Sequence, residues 1–183
     1  MSKVDTLVIG GAMANTFLAA QGHQVGRSLV EQDKLPLART LLTRAEEKGM
    51  QLLLPVDVVV ADDLGASAGH TVPVTEIGDG DMALDIGPAS VERYGAALLT
   101  AGAVFWNGPM GLFENEAFAA GTLGVAKAIA AGDAFSVVGG GDSVAAVQQA
   151  GLAEHFDHVS TGGGASLELI EGRRLPGVEG LRK

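Results

Sequence analysis

Residues 134–150 read AFSVVGGGDSVAAVQQA. Residues 134–138 are mostly apolar and about as long as one buried strand, whereas residues 143–150 have small and apolar residues at helical spacing. Three glycines separate the two segments, and Asp142 and Ser143 follow them. The pattern predicts a strand, a tight glycine turn and a helix, which is the repeating unit of parallel α/β folds.

The same unit recurs along the rest of the chain. Further strands are predicted at residues 6–9, 51–54, 56–61, 103–106 and 158–160. Further helices are predicted at residues 13–21, 35–48, 90–99, 117–131 and 166–170. Residues 66–81 are rich in Gly, Thr and Asp and predict a surface excursion with a short strand at 71–75. We therefore expect one α/β domain over residues 1–183, with helices covering both faces of a mostly parallel sheet.

Composition and charge exclude several classes of protein. The chain has 183 residues, 12 of them Lys or Arg and 22 Asp or Glu, which gives a formal net charge of −10. A field of that sign repels polyanions and argues against nucleic acid or an acidic membrane as a partner. Cysteine is absent, which excludes disulfides and zinc–thiolate sites. Neither a secretory signal nor a membrane span is evident, so we expect a cytoplasmic protein.

Glycines follow several of the predicted strands. They are Gly10-Gly11, the turn after Asn107, the triplet that ends at Gly141, and the triplet 162–164. Ligands of open parallel sheets bind outside the carboxyl ends of the strands, where helix N-termini favour phosphate. A single glycine pair usually serves packing alone, but four such turns favour a bound anionic ligand. None of them has the P-loop pattern or opens the chain with GxGxxG.

Asp142 and Ser143 lie where the third glycine turn becomes a helix. Asp142 has two possible roles, capping that helix or binding a Mg²⁺ ion carried by nucleotide phosphates. Ser143 would then donate to a phosphate or support the cap. The residues alone leave these alternatives open.

The segment after residue 106 offers a second set of candidates. Glu114 is either a solvated charge or, beside a nucleotide, an acceptor for the ribose hydroxyls. Leu112, with Met110 and Phe113, either lines an adenine slot or packs in the core. Neither alternative is settled by residue type.

Three long motifs resemble the carboxyl-terminal half of the phosphoglycerate kinase family. They are VFWNGPMGLFENEAFAAGT at 104–122, VVGGGDSVAAV at 137–147 and HVSTGGGASLELIEG at 158–172. The resemblance covers nearly the whole chain in the family's order. It implies a Rossmann-like three-layer sandwich that binds ATP or ADP with Mg²⁺. The family transfers a phosphoryl group reversibly between 1,3-bisphosphoglycerate and ADP in glycolysis, directly and without a covalent enzyme intermediate.

The resemblance also implies roles for individual residues. Those expected at the nucleotide are Gly10, Gly11, Asn107, Leu112, Glu114, Gly140, Gly141, Asp142 and Ser143. Those expected to face the transferred phosphoryl group are Gly162, Gly163 and Gly164. Within the first set, Glu114 would hold the ribose, Leu112 would flank the base, and Asp142 would bind Mg²⁺.

Some parts of the family pattern are not found in these residues. They are the amino-terminal domain that holds 3-phosphoglycerate or 1,3-bisphosphoglycerate, and the first strand of the nucleotide domain with its lysines. We expect the strands beside that position to lose a partner or to pair again, and the chain alone not to catalyse transfer. The alternative is a structural fragment that binds nucleotide weakly or not at all. Ala12 and Ala83 replace usual glycines of the family.

Overall fold

Strands and helices alternate along most of the chain. A computed structural model describes residues 3–160 and 162–180. The strands are β1 (Thr6–Val8), β2 (Gln51–Leu53), β3 (Asp57–Ala61), β4 (His70–Pro73), β5 (Met82–Ile86), β6 (Ala103–Asn107), β7 (Phe135–Gly139) and β8 (His158–Ser160). The α-helices are α1 (Gly11–Ala20), α2 (Leu35–Glu47), α3 (Pro88–Leu98), α4 (Ala120–Ala130), α5 (Gly141–Gln149), α6 (Gly163–Glu171) and α7 (Pro176–Glu179). The predicted α/β fold class is confirmed.

Within residues 3–160 and 162–180, two of the three sheets are parallel, as the alternating pattern predicts. β1 pairs with β2, and β7 lies between β6 and β8. The strand interiors are apolar, and Val138 in the central strand is fully buried. In the second sheet Asn107 lies opposite Gly139, which in turn lies opposite Ser160. The carboxyl ends of these three strands therefore meet at one edge.

The third sheet is antiparallel, and its central strand is β3. That strand pairs with β4 on one side and with β5 on the other. β4 falls in the predicted surface excursion, whereas β5 is a strand that the sequence patterns did not predict. The parallel arrangement is therefore limited to the other two sheets, because β4 returns along β3 through a short connection.

β1 and β6 each lie at an edge of their parallel sheet. Among the described residues, β1 pairs only with β2, and β6 pairs only with β7. The two strands have not paired with each other. The new pairing expected as one alternative is therefore not found among the described residues.

Helices begin earlier than predicted wherever a glycine turn precedes them. α1 begins at Gly11, α5 at Gly141 and α6 at Gly163. Glycine is a poor helix former, so sequence patterns assign it to the loop. Here the turn is also the first helical turn, and the free N–H groups of each helix lie next to the end of the preceding strand.

Several hydrophobic clusters hold these elements together. The largest joins β6 and β7 to α3, α4 and α5, and it includes Tyr94, Trp106, Val125, Val138 and Val147. The rings of Trp106 and Phe156 stack with centroids 6.3 Å apart. A second cluster packs α1 and α2 against the ends of β1 and β2.

Candidate functional site

The glycine turns converge because parallel strands place them at one edge. Asn107, Gly139 and Ser160 are neighbours in register at that edge. The turn after β1 joins them through a hydrogen bond of 2.9 Å from the Gly11 amide to the carbonyl of Met110. Four separate stretches of sequence thus form one continuous backbone surface, which is the arrangement that the predicted site requires.

Two of the turns pack against each other without room for a side chain. A Cβ atom added to Gly163 would lie 2.5 Å from the Cα atom of Gly140. Gly140 also has a φ of +94°, a conformation that favours glycine. The Asn107 side chain lies between the two turns and donates a hydrogen bond of 3.4 Å to the Gly163 carbonyl. These glycines are required for close backbone approach.

Other glycines of the same turns face open space. A Cβ atom on Gly141 or Gly164 would meet no protein atom within 4 Å among the described residues. Gly162 directly precedes α6, and no side chain caps the N-terminus of this helix. The backbone at these positions is therefore accessible to a ligand, and the dipoles of α5 and α6 favour an anionic one. Thr161, between Ser160 and this turn, lies outside the described residues.

Asp142 lies in the first turn of α5 with its side chain exposed. Its carboxylate forms no hydrogen bond or ion pair with the part of the chain that the structure describes, and the helix has no side-chain cap. Of the two roles left open by the sequence, capping is not the one observed. The carboxylate is free to take an oxygen-ligated cation such as Mg²⁺.

Ser143 is fully buried, unlike its neighbour Asp142. Its hydroxyl oxygen accepts a hydrogen bond of 2.6 Å from the backbone amide of Gly108. The side chain therefore links the start of α5 to the turn that follows β6. The structure gives it a supporting role in the shape of the edge, and its expected contact with nucleotide stays a prediction.

In the loop after β6 the apolar side chains are buried or half-buried, whereas the charged residue Glu114 is exposed. Met110 and Phe113 are 6% and 7% exposed and belong to the core, so they do not line an open adenine slot. Leu112 is half-buried, and its amide donates a hydrogen bond of 2.7 Å to the Leu84 carbonyl. Glu114 is exposed and forms no hydrogen bond or ion pair within the described ranges, so its carboxylate is available.

The turn that contains Gly10 is fixed by its contact with Met110. A Cβ atom on Gly10 would lie 2.3 Å from the Met110 sulfur. Gly11 has a φ of +59°, in the left-handed region. Ala12 is exposed on α1 with a negative φ, so its methyl group is accommodated in the helix without backbone strain. Ala83 lies in β5, and its amide donates to the hydroxyl of Ser28.

A buried carboxyl group behind the loop was missed at the sequence level. Asp85 is 3% exposed at the carboxyl end of β5. It accepts hydrogen bonds from the backbone amides of Gly121 at 2.6 Å and Ile86 at 2.9 Å. Burial raises the pKa of Asp85 to about 7, although the two amide hydrogen bonds act to lower it. The acidic residue in the otherwise apolar run MALDI could have indicated it.

The described residues supply single carboxylates rather than a complete metal cage. No group of three or more His, Asp or Glu side chains suited to a metal ion occurs within residues 3–160 and 162–180. A magnesium ion at Asp142 would therefore need oxygen ligands from the nucleotide and water, which is the usual mode of Mg²⁺ binding. In the same described ranges, no helix is long and apolar enough to cross a membrane.

The fold and the edge define an α/β protein with glycine-rich helix starts, a class that commonly binds phosphate groups. The family model of phosphoglycerate kinase matches residues 1–173. Phosphoglycerate kinase from Chloroflexus aurantiacus is 59% identical over 100% of this chain, and that from Moorella thermoacetica is 58% identical over 99% of it. The chain belongs to the phosphoglycerate kinase family, as its motifs predict.

Solved structures agree with this assignment. Phosphoglycerate kinase from Coxiella burnetii matches 97% of the chain with a TM-score of 0.93 and 42% identity. The enzyme from Pyrococcus horikoshii matches 97% with a TM-score of 0.84 and 35% identity. The chain spans about half the length of these relatives, 46% for the proteins of Chloroflexus aurantiacus and Coxiella burnetii.

Proposed function

We propose that residues 1–183 form the nucleotide-binding domain of a phosphoglycerate kinase and bind ADP or ATP with Mg²⁺. The observation that carries the proposal is the meeting of Asn107 with the turns at Gly140 and Gly163 at one edge. Beside it, the carboxylate of Asp142 has no partner among the described residues. Family membership makes a nucleoside phosphate the ligand of choice for that surface.

The backbone is proposed to hold the phosphates. The first N–H groups of α5 and α6 have no acceptor within their own helices, and they adjoin the glycines that leave open space. In a chain of net charge −10, such local donors are needed to offset the repulsion of an anion. Gly162, Gly163 and Gly164 are proposed to face the transferred phosphoryl group, and Asn107 fixes the spacing between the two turns.

The ribose and the base are proposed to contact the two other turns, which follow β6 and β1. The exposed carboxylate of Glu114 is an acceptor for the ribose hydroxyl groups. The half-buried Leu112 and the backbone of Gly10 and Gly11 are proposed to flank the base. Ser143 contributes by holding Gly108 in place rather than through an open hydroxyl.

The residues present fit a magnesium ion bound together with the nucleotide. Asp142 would hold it, because its exposed carboxylate lies at the start of α5 without a partner among the described residues. Such an ion neutralises charge on the phosphate oxygens and helps to orient them for transfer. Asp142 itself orients the ion relative to the glycine turn.

The complete activity is proposed for the full-length enzymes of the family, of which this chain spans about half. In that reaction an oxygen of the ADP β-phosphate forms a bond to the acyl phosphorus of 1,3-bisphosphoglycerate. The bond between that phosphorus and the acyl oxygen breaks, and 3-phosphoglycerate leaves with this oxygen as part of its carboxylate. This chain contributes positioning and charge stabilisation on the nucleotide side. We propose that the phosphoglycerate is bound by the part of the full-length family enzymes that this chain does not span.

A cytoplasmic location and the absence of nucleic-acid or membrane partners are part of the same proposal. The acidic charge supports the second point. The relative from Nicotiana tabacum, 55% identical, is described as a cytosolic phosphoglycerate kinase.

Calorimetric titration of the 183-residue chain with Mg-ADP tests the proposal, with circular dichroism recorded first to establish folding. Saturable binding with one site is expected, and Mg-free sodium sulfate at the same ionic strength provides the control for adventitious anion binding. A folded chain that binds no Mg-ADP would overturn nucleotide binding by this part alone and favour the structural-fragment alternative.

A further inference from the structure

Asp85 connects three segments that are far apart in sequence. Its carboxylate accepts the Gly121 amide, in the first turn of α4, and the amide of Ile86 in its own strand. Gly111 closes the pocket from the loop, since a Cβ atom there would lie 2.3 Å from the Asp85 oxygen Oδ1. The carboxylate is thus enclosed by β5, α4 and the loop of residues 108–114.

α4 has no cap or acidic residue of its own at its N-terminus. Asp85 supplies a carboxyl oxygen there from a neighbouring strand, and this oxygen accepts an N–H group of the first helical turn that has no acceptor within the helix. A buried N–H group that loses its acceptor destabilises the folded chain. The position of the first turn of α4 therefore depends on Asp85.

That first turn in turn holds the 108–114 loop. The hydroxyl of Thr122, fully buried, accepts a hydrogen bond of 3.0 Å from the Met110 amide. Next to Asp85, the Leu84 carbonyl accepts the Leu112 amide at 2.7 Å. The loop is thus held at Met110 and at Leu112, on either side of Gly111. Thr122 directly follows Gly121, whose amide Asp85 accepts, and Leu84 directly precedes Asp85.

We propose that Asp85 is a positioning residue for nucleotide binding, which acts through α4 and Thr122 on the 108–114 loop. The inference rests on the proposed function, because Leu112 and Glu114 are the nucleotide contacts that this loop would carry. Asp85 is too buried to touch the ligand. Its effect is on where the loop stands relative to the glycine turns.

Asp57 offers a matched control on a different helix. It is also a buried carboxylate, and it accepts the amides of Ala89 and Ser90 in the first turn of α3. The α3 helix carries none of the proposed nucleotide contacts. Asp57→Asn therefore weakens a helix start of the same kind without loosening the 108–114 loop.

The test compares the full chain with Asp85→Asn and Asp57→Asn, using Mg-ADP titration and amide hydrogen exchange resolved by residue. Asp85→Asn should weaken Mg-ADP binding about tenfold, the equivalent of one lost hydrogen bond. It should also speed exchange at Met110 and Leu112. Asp57→Asn should speed exchange at Ala89 and Ser90 with no change in affinity. Equal affinity losses in the two variants, or none in Asp85→Asn, would overturn the proposal.

A second pair of variants serves if Asp85→Asn does not fold. Thr122→Val removes the acceptor for Met110, whereas Thr122→Ser keeps it. Weaker Mg-ADP binding and faster Met110 exchange in Thr122→Val alone would support the action of Asp85 through Thr122. An equal loss of affinity in both variants would overturn it. If the unmodified chain binds no Mg-ADP, the proposed function fails and the nucleotide part of this inference with it. Exchange at Met110 and Leu112 would still decide whether Asp85 positions the loop.

Discussion

The hydroxyl of Tyr94 donates a hydrogen bond of 2.8 Å to the backbone carbonyl of Ile9. Tyr94 is fully buried on α3, and Ile9 directly precedes the turn at Gly10. The bond therefore ties a helix from the middle of the chain to the end of β1. Because β1 and β6 do not pair with each other in the described residues, side chains such as Tyr94 join the two parallel sheets.

Replacing Tyr94 with Phe should lower the free energy of unfolding. The substitution leaves the ring in place but removes a hydrogen bond to the buried Ile9 carbonyl, a loss of about 1–3 kcal/mol. Urea unfolding followed by circular dichroism measures it. Thr100→Ala is the control, because that hydroxyl bonds to the Ala97 carbonyl at an exposed position. A Tyr94 variant as stable as the control would contradict the bridging role.

Two adjacent glycines should respond in opposite ways to the same substitution. Gly163→Ala places a methyl group against the Gly140 backbone, which cannot move aside easily, so the melting temperature should fall. Gly164→Ala meets open space and lies in a helix, where Ala is favoured by about 1 kcal/mol. Its stability should be unchanged or higher, while its affinity for Mg-ATP should fall, since the methyl group occupies the proposed phosphate surface.

Thermal unfolding and Mg-ATP titration of the two variants check this prediction together. A stable Gly164→Ala chain with full affinity for Mg-ATP would remove Gly164 from the proposed site. A Gly163→Ala chain with an unchanged melting temperature would contradict the close packing of the two turns.

The raised pKa of Asp85 predicts a pH dependence of stability. An unfolded Asp has a pKa of about 3.9, whereas burial raises that of Asp85 to about 7 in the folded chain. Between these values the folded chain binds more protons, so the contribution of Asp85 to stability is lost as pH rises. The groups acting on the carboxylate are the amides of Gly121 and Ile86.

The measurement is the urea unfolding free energy from about pH 5 to about pH 8, for the unmodified chain and for Asp85→Asn. As pH rises, the unfolding free energy of the unmodified chain should fall relative to that of Asp85→Asn, because Asn does not titrate. All other ionisable groups are common to the two chains, so their contributions cancel in the difference. A difference that is constant with pH would show that Asp85 does not titrate in this range.

The parts predicted well from the sequence are those set by local patterns. The β7 strand was predicted at 134–138 and observed at Phe135–Gly139, and β8 matches the prediction. β7 is a mostly apolar run that ends at a glycine, and the glycine triplet 162–164 comes shortly after β8, so turn residues mark the ends of both strands. The predicted starts of α1, α5 and α6 are two or three residues late, because the low helix propensity of glycine does not show that the turn is also the first turn of the helix.

Asp85 and the β5 strand depend on contacts that local patterns do not contain. Residues 82–86 follow a Gly- and Asp-rich excursion, and one acidic residue interrupts their apolar run. The carboxylate is accommodated only because Gly111 and Gly121, distant in sequence, leave room for it. For the same reason, Met110 and Phe113 could be placed in the core only once the fold was known.

The central claim is that the free carboxylate of Asp142, beside the glycine turns, holds the magnesium ion of a bound nucleotide. The most direct measurement is the ADP affinity with and without Mg²⁺, for the unmodified chain and for Asp142→Asn. Asp133→Asn is the control, since it removes the same charge near the opposite end of β7.

We expect Mg²⁺ to strengthen ADP binding by about tenfold or more in the unmodified chain and in the control, as for a carboxylate ligand to the ion. In Asp142→Asn most of that gain should be lost, with metal-free affinity retained. An equal loss of affinity with and without Mg²⁺, or a full magnesium effect in Asp142→Asn, would contradict the account.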